Sequence, residues 1–232
     1  MQKKQIVILI GPPGSGKDTQ AQLLADDFGF YHLKTSEIIE QKLKYSSEDD
    51  PVLGPRVQEY KAGKLVNPEY VALLVIDKIK EVGTTRSIVF SGSFRTLYEA
   101  EHEIPVVEEL FGRENIHVVN IEVSEEESMK RNSKRRICKA NRHPIPNFPE
   151  YENITTCPKD GSEIITRILD NLDTIKIRYQ TYLEDTKPAL ELFKEHDYDI
   201  IPINGAQSIR DVHKDILNAI DVYEHEEFKK WN

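Results

Sequence analysis

Apolar and polar positions alternate in blocks along the chain. Short apolar runs rich in β-branched residues recur between longer segments in which apolar positions return every three or four residues. The runs predict strands at Gln5–Gly11, Tyr31–Lys34, Ser87–Ser91, Ile116–Val123 and Asp199–Ile203. The segments between them predict helices at Lys17–Asp27, Ser36–Lys44, Arg56–Ala62, Pro68–Val82, Leu97–Phe111, Glu125–Arg136, Ile165–Lys194 and Ile209–Phe228. Strands alternating with helices imply an α/β fold with a parallel sheet covered on both faces. Ligands of such sheets bind beyond the carboxyl ends of the strands, which directs attention to the turn after Ile10, to Thr35 and to Ser91–Arg95. Two segments break the pattern. Tyr45–Pro55 is polar, carries two prolines and reads as a loop. Cys138–Gly161 carries four prolines and few apolar residues, and reads as an excursion without a core of its own, needing a staple or else mobile.

The first of those strand ends carries the clearest chemistry. Gly11-Pro12-Pro13-Gly14-Ser15-Gly16-Lys17 sits between a predicted strand and a predicted helix. In that context G-x-x-x-x-G-K is a phosphate cradle. Backbone N–H groups of the turn point at an anion, the helix dipole adds partial positive charge, and Lys17 adds a full one. The position after the lysine is Asp18 rather than Ser or Thr, with Thr19 one place on.

Length and composition narrow the function without naming it. The chain has 232 residues, enough for one domain with an inserted part. The formal net charge is -9, which speaks against general binding to nucleic acid or to an anionic membrane. Met1-Gln2-Lys3-Lys4 runs directly into the first strand without a signal-peptide core, and no apolar run is long enough to span a bilayer. Two cysteines do not make a disulfide scaffold. A cytoplasmic protein with no membrane partner is expected.

Phosphoryl transfer needs several cations converging on one point. Beyond Lys17 the candidates are Arg95, Arg131, Arg135, Arg136, Arg167 and Arg178. Arg167 and Arg178 are eleven residues apart, close to three helical turns, and so share a face if one helix carries both. The competing reading of each is a solvated basic face. Seven Lys/Arg fall between Lys130 and Arg142, a density that also suits nucleic acid, but the acidic remainder and the cradle favour a polyphosphate.

With these residues in hand, the chain resembles the adenylate kinases and their relatives among the nucleoside monophosphate kinases. Gly11–Gln20 is similar to the family's G-x-P-G-x-G-K-G-T-Q loop, Gly63-Lys64-Leu65-Val66 to its G-K-L-V segment, and Ser91-Gly92-Ser93-Phe94-Arg95-Thr96 to its D-G-F-P-R-T turn. Arg135-Arg136-Ile137-Cys138 resembles the opening of its LID, Arg167 and Arg178 match two arginines that follow, and Thr186-Lys187-Pro188 matches its T-x-P. The resemblance implies a P-loop three-layer fold around a five-stranded parallel sheet, all of residues 1–232 forming one kinase domain. Monophosphate-binding helices at roughly 35–72 and a LID at roughly 138–164 would be its mobile parts. It implies the reaction ATP + AMP to two ADP with Mg²⁺, carried by a protein able to work as a monomer. Gly11, Pro13, Gly14, Ser15, Gly16, Lys17, Asp18 and Thr19 would hold the donor phosphates. Arg135 and Arg167 would clamp them, while Arg95 and Arg178 would grip the acceptor phosphate and the moving group. Arg131 and the backbone near Gln207 would lie along the donor base. Thr35, Glu40, Leu65, Val66, Val71, Gly92 and Glu99 would border the acceptor.

The departures from the family pattern are informative. Glu40 stands where a phosphate-binding arginine is usual, and a carboxylate there repels phosphate. Either Glu40 turns away, or Lys42, Lys44 or Arg56 takes over. Glu99 replaces a glutamine that reads the acceptor adenine; ionised glutamate only accepts hydrogen bonds, which leaves adenine and cytosine open. Ser91 replaces an Asp that helps hold hydrated Mg²⁺, while Asp18 adds a carboxylate one residue after Lys17; it is either the replacement or a favourable acid in a first helical turn. In the excursion, Cys138-x-x-Asn141 and Cys157-x-x-Asp160 keep the spacing by which many relatives bind zinc. Cys138, Cys157 and Asp160 suit zinc, Asn141 does not, and His143 completes a tetrahedral set. The competing reading is a hydrogen-bonded polar LID with two ordinary thiols. Besides an adenylate kinase, the departures leave room for a kinase of another monophosphate such as CMP, or a nucleotide-binding regulatory protein with weak catalysis.

Overall fold

Ile6–Ile10 forms β1, and all five residues are buried. The computed structural model describes residues 3–62, 64–145, 151–166 and 172–221. After β1 come α1 (Lys17–Phe28), β2 (Tyr31–Leu33), α2 (Thr35–Leu43), α3 (Gly54–Lys61), α4 (Pro68–Gly83), β3 (Ile88–Phe90), α5 (Leu97–Phe111), β4 (Ile116–Glu122) and α6 (Glu125–Ser133). Then follow β5 (Arg136–Cys138), β6 (Pro144–Ile145), β7 (Ile164–Thr166), α7 (Leu172–Thr181), α8 (Lys187–Glu195), β8 (Ile200–Asn204) and α9 (Ile209–Ala219). The main sheet has the order β2-β3-β1-β4-β8, and every pairing in it is parallel.

Because successive strand residues point to opposite faces, β1 feeds two cores. Ile6, Ile8 and Ile10 join Ile79, Ile104 and Phe193 from α4, α5 and α8. Val7 and Leu9 join Leu24 of α1 and Ile216 of α9 on the other side. Four helices start on side-chain caps: Asn67, Thr96, Ser124 and Ser208 each accept from the backbone N–H three residues on. The expected strands and the parallel sheet are therefore present, with α-helices on both faces.

Three expectations need correction. The segment from Cys138 has structure of its own: β5 pairs antiparallel with β6 and with β7. It also has a small core in which Cys138, Ile145 and Cys157 are buried against Tyr151, Ile154 and Ile164. Isolated short strands of this kind give too weak a pattern to read in sequence. Second, the helix expected from Ile165 cannot begin there, because Ile164–Thr166 is β7 and its β-branched residues suit a strand. The α6 helix likewise stops at Ser133, freeing Arg136 to pair in β5. Third, the long helix is interrupted by a π turn over Tyr182–Thr186. Pro188 follows at the start of α8, where its missing N–H cannot continue the α-helical ladder. Arg167 and the end of the last expected helix, beyond residue 221, lie outside the described residues.

One turn links the core to the charged cleft. Phe94 is 0% exposed and has a left-handed backbone, φ 56°. Bulky residues rarely adopt that conformation. Its ring holds it there, meeting Phe90 edge-on at 5.2 Å and Phe193 at 5.7 Å between centroids. With Phe94 anchored inward, the next residue, Arg95, faces the cleft. Phe94→Ala is expected to cost about 3–5 kcal/mol of stability in urea unfolding; a loss below about 1 kcal/mol would show that the ring is not the anchor.

Candidate active site

Beyond the carboxyl ends of β1, β2 and β3 lies a cleft of about 500 Å³. Its floor is the turn after β1. A side chain at Gly11, φ 148°, would strike the Ile121 carbonyl oxygen at 2.3 Å, and one at Gly14, φ 78°, would strike Asn132 Nδ2 at 2.6 Å. The turn is thus pressed between β4 and α6 and has room only for glycine there. From α6, the Ser128 hydroxyl donates to the Pro13 carbonyl at 2.6 Å, fixing the loop from behind. Lys17, the first residue of α1, folds back over the turn. Its Nζ donates to the carbonyls of Gly11 at 2.7 Å and Pro12 at 2.8 Å.

Cations from distant parts of the chain surround this floor. Burial lowers the Lys17 ammonium pKa to about 7; Asp18 opposes the shift, while Arg95, Arg178 and Arg135 add to it. Lysine and arginines are therefore close enough to repel one another. All four line the same cleft, as do Gly11, Pro13, Gly14, Ser15, Gly16, Asp18 and Thr19. At one edge, Arg131 donates to the Gly205 carbonyl at 2.9 Å and pairs with Glu127 at 2.6 Å, beside Gln207. Thr35, Leu65, Val66, Val71, Gly92 and Glu99 line the cleft as well. Thr35 is tied to the Ser91–Arg95 turn by a 2.7 Å hydroxyl bond to Ser93. Glu40 is the exception among the described candidates: it does not line the cleft, and its carboxylate meets Arg142 at 2.8 Å.

Two further groups were not singled out from the sequence. Asp18 accepts a hydrogen bond from Ser91. Ser91 has a single proton, so its oxygen accepts in turn from His32 Nε2, 2.7 Å away. Burial pushes His32 down to about 4, against the pull of Asp18, and keeps it neutral. Burial works against ionisation of Asp18, but His32 (charged only in the acid range where Asp18 itself titrates), Ser91, Arg135 and Lys17 outweigh it and hold its carboxyl below the usual range. A histidine in the middle of a three-residue strand gives no motif to find. Behind Glu99, one helical turn on, Glu103 is 0% exposed, and the Phe94 backbone N–H offsets its burial only in part. Burial, then the nearby Glu99, pushes Glu103 well above the carboxylate range. Glu99 is also raised, chiefly by burial.

Comparison with known proteins decides the family. The family model described as Adenylate kinase matches residues 9–198. An adenylate kinase of Caldicellulosiruptor bescii is 34% identical over 220 residues, covering 93% of this chain and 99% of the relative. One of Bacillus subtilis is 32% identical over 218 residues, covering 92% and 97%. One of Petrotoga mobilis is 33% identical over 223 residues, covering 92% and 96%.

The chain belongs to the adenylate kinase family. It is accordingly a nucleotide-binding phosphotransferase, and the cleft over Gly11–Lys17 has the charge that this chemistry requires.

Away from the cleft, this family member gathers a second cluster. The ligand atoms of Cys138, His143, Cys157 and Asp160 lie within 4.8 Å of one another. His143 Nδ1 is 3.4 Å from Cys157 Sγ and 3.3 Å from Asp160 Oδ2. Cys138 Sγ is 3.0 Å from the same carboxylate oxygen. Asn141 stands outside this set and donates to Asp160 at 2.8 Å. Two thiols, an imidazole and a carboxylate converging in this way are a donor set that suits tetrahedral Zn²⁺, with Asn141 as a support for one ligand.

The shift of Lys17 makes a measurable prediction. In the unfolded chain this lysine keeps its proton to about 10.5; in the free fold it loses it near 7. Between those values the unfolded state binds more protons, so Lys17 makes stability rise with pH across that window. A bound polyphosphate restores the charge. Binding of a non-hydrolysable nucleoside triphosphate at pH 8 is expected to take up about one proton, and much less at pH 6. Calorimetry in buffers of different ionisation enthalpy measures this, and Lys17→Met is expected to abolish the difference.

Proposed function

We propose that the chain catalyses the reversible transfer of the γ-phosphoryl group of ATP to AMP, giving two ADP. The observation that supports this reading is the convergence of Lys17, Arg95, Arg135 and Arg178 on one cleft above a glycine-rich turn. Repulsion among four cations is costly in a free protein, and two facing nucleotides supply the anion that offsets it. In this reading the turn from Gly11 to Thr19 and Lys17 hold the β- and γ-phosphates of ATP. Arg135 clamps the donor phosphates, and Arg167 is assigned there by resemblance. Arg131 and Gln207 border the donor base. Arg95 and Arg178 grip the acceptor phosphate, while Thr35, Leu65, Val66, Val71, Gly92 and Glu99 border the acceptor nucleoside.

An oxygen of the AMP phosphate attacks the γ-phosphorus in line. The bond from that phosphorus to the β–γ bridging oxygen breaks, and ADP leaves carrying the electron pair. No protein nucleophile takes part. The four cations neutralise the equatorial oxygens, and closure of residues 35–72 and 138–164 over the cleft keeps water from competing with AMP. Mg²⁺ fits the residues present: the Asp18 carboxylate, held ionised at the cleft beside Lys17 and against Ser91, is a hard oxygen donor. When bound, Mg²⁺ neutralises phosphate charge. Zn²⁺ on Cys138, His143, Cys157 and Asp160 staples the second, smaller sheet. The reading is of a cytoplasmic monomer that binds neither nucleic acid nor membrane. The net charge of -9 supports it, and among the described residues no helix is long and apolar enough to cross a bilayer.

ADP formation coupled to NADH oxidation, with ATP against AMP, CMP, GMP and UMP, tests the assignment. AMP is expected to give the highest kcat/KM, and Lys17→Met to lower kcat by about 10²–10³. Turnover with none of the four would leave a nucleotide-binding regulator. For the metal, elemental analysis is expected to find one zinc per chain, lost in Cys138→Ser and His143→Ala together with a lower Tm; metal-free wild-type protein of unchanged Tm would refute the staple.

A further inference from the structure

Among the described residues, an ion pair joins the two arms over the cleft. Arg142 Nη1 lies 2.8 Å from Glu40 Oε2. Glu40 belongs to α2; Arg142 belongs to the turn between β5 and β6. Only the arginine of the pair lines the cleft. The carboxylate stands behind it, so the cation faces the space and the anion holds it from the rear.

Two observations argue against a surface pair of no consequence. The side chains keep 29% and 45% of their exposure, for Arg142 and Glu40 respectively. A pair this open to solvent contributes little stability, which cannot account for its position. Yet Arg142 occupies it with a left-handed backbone, φ 53°, where Gly or Asn is the comfortable choice. The strained turn is held by its own scaffold: the Arg142 N–H donates to the Cys138 carbonyl at 3.0 Å, and the neighbours Cys138 and His143 belong to the zinc-fitting cluster. Strain kept at a cleft, with no stability return, marks a position selected for what its side chain does there.

The cations on α2's side of the cleft show what is missing. Lys34 pairs with Glu37 at 3.1 Å. Lys42, Lys44 and Arg56 do not line the cleft at all. Lys64 is the other cation of this arm that lines the cleft, and no arginine of the arm does, so a guanidinium that joins Arg95 and Arg178 on the acceptor phosphate from the α2 side has to come from the other arm.

We propose that Arg142 is that guanidinium: it binds the phosphate of the acceptor monophosphate from the β5–β6 turn, and Glu40 is the positioning residue that aims it. This rests on the functional reading above and deepens it. The acceptor is thereby sensed by both arms at once, because its phosphate binds a group that is in place only when the β5–β6 turn lies against α2.

The test is steady-state kinetics with the acceptor and donor varied separately. Asparagine tolerates the left-handed backbone, so Arg142→Asn removes the cation and leaves the turn. It is expected to raise the KM for AMP by about tenfold or more, with the KM for ATP within about twofold. Glu40→Gln is expected to raise the KM for AMP less. Glu40→Arg placed in the Arg142→Asn background puts a guanidinium on α2 itself and is expected to recover most of the lost acceptor affinity. An unmoved KM for AMP in Arg142→Asn overturns the proposal, as does an equal rise for both substrates, which would describe a mere latch. Failure of Glu40→Arg to recover affinity overturns it too. Should Arg142→Asn not fold, Arg142→Lys, which keeps the charge without the fork, decides by the same split of KM values. A wild-type protein that turns over no monophosphate would instead overturn the functional reading itself.

Discussion

Repulsion between Lys17 and the guanidinium groups gathered round it is the constraint around which this molecule is organised. Lys17, Arg95, Arg135 and Arg178 come from α1, the turn after β3, the segment after α6 and α7. They crowd closely enough that the lysine, already depressed by burial, is pushed further down by the three guanidinium groups. Nothing in a folding landscape favours such a gathering for its own sake. It has to be enforced by packing elsewhere: by the five buried residues of β1, by the aromatic anchor at Phe94 beside Arg95, and by Ser128 bracing the loop from behind. Stability is given up at the cleft and regained in the two cores on either side of the sheet.

Much of this was legible in the sequence because it depends on short-range patterns. The strand, glycine turn and helix around Lys17 lie within one continuous stretch; Gly11 and Gly14 are forced by close contacts, and Gly16 by its positive φ of 101°. Parallel strands, buried on both faces, announce themselves as apolar runs. What escaped notice depends on contacts between distant residues. His32 matters because it meets Ser91, and Glu103 because the core buries its carboxyl beside Glu99. The three small strands near Cys138 are held by pairing across turns and by two thiols rather than by an apolar rhythm. The π turn before α8 reflects Pro188 acting on a ladder whose pattern of apolar residues continues unbroken.

The departures from the family's usual residues come in pairs that the fold brings together. Ser91 takes the place of a carboxylate, and the Asp18 carboxylate is hydrogen-bonded to that same serine. Glu40 takes the place of an arginine, and the Arg142 guanidinium is 2.8 Å from it. Asn141 takes the place of a metal ligand, and it donates to Asp160 in a cluster that His143 joins. In each case a group suited to the role that the resemblance implies lies in direct contact with, or one partner removed from, the position that lacks it.

That pairing bears on whether the cleft is a working site or a relic. A protein that had kept its fold but lost its chemistry would shed charge from a repulsive cluster first, since each cation removed relieves strain on the others. Its losses would also fall independently, with no reason for an opposite change nearby. Here the cluster around Lys17 is retained, and each departure has an opposite change in contact with it or one partner away. Two of the substitutes carry a visible burden: Arg142 sits in a left-handed turn, and Asp18 remains ionised although burial opposes it. Substitutions that cost stability and restore charge at the same point are what continued use of the cleft would select.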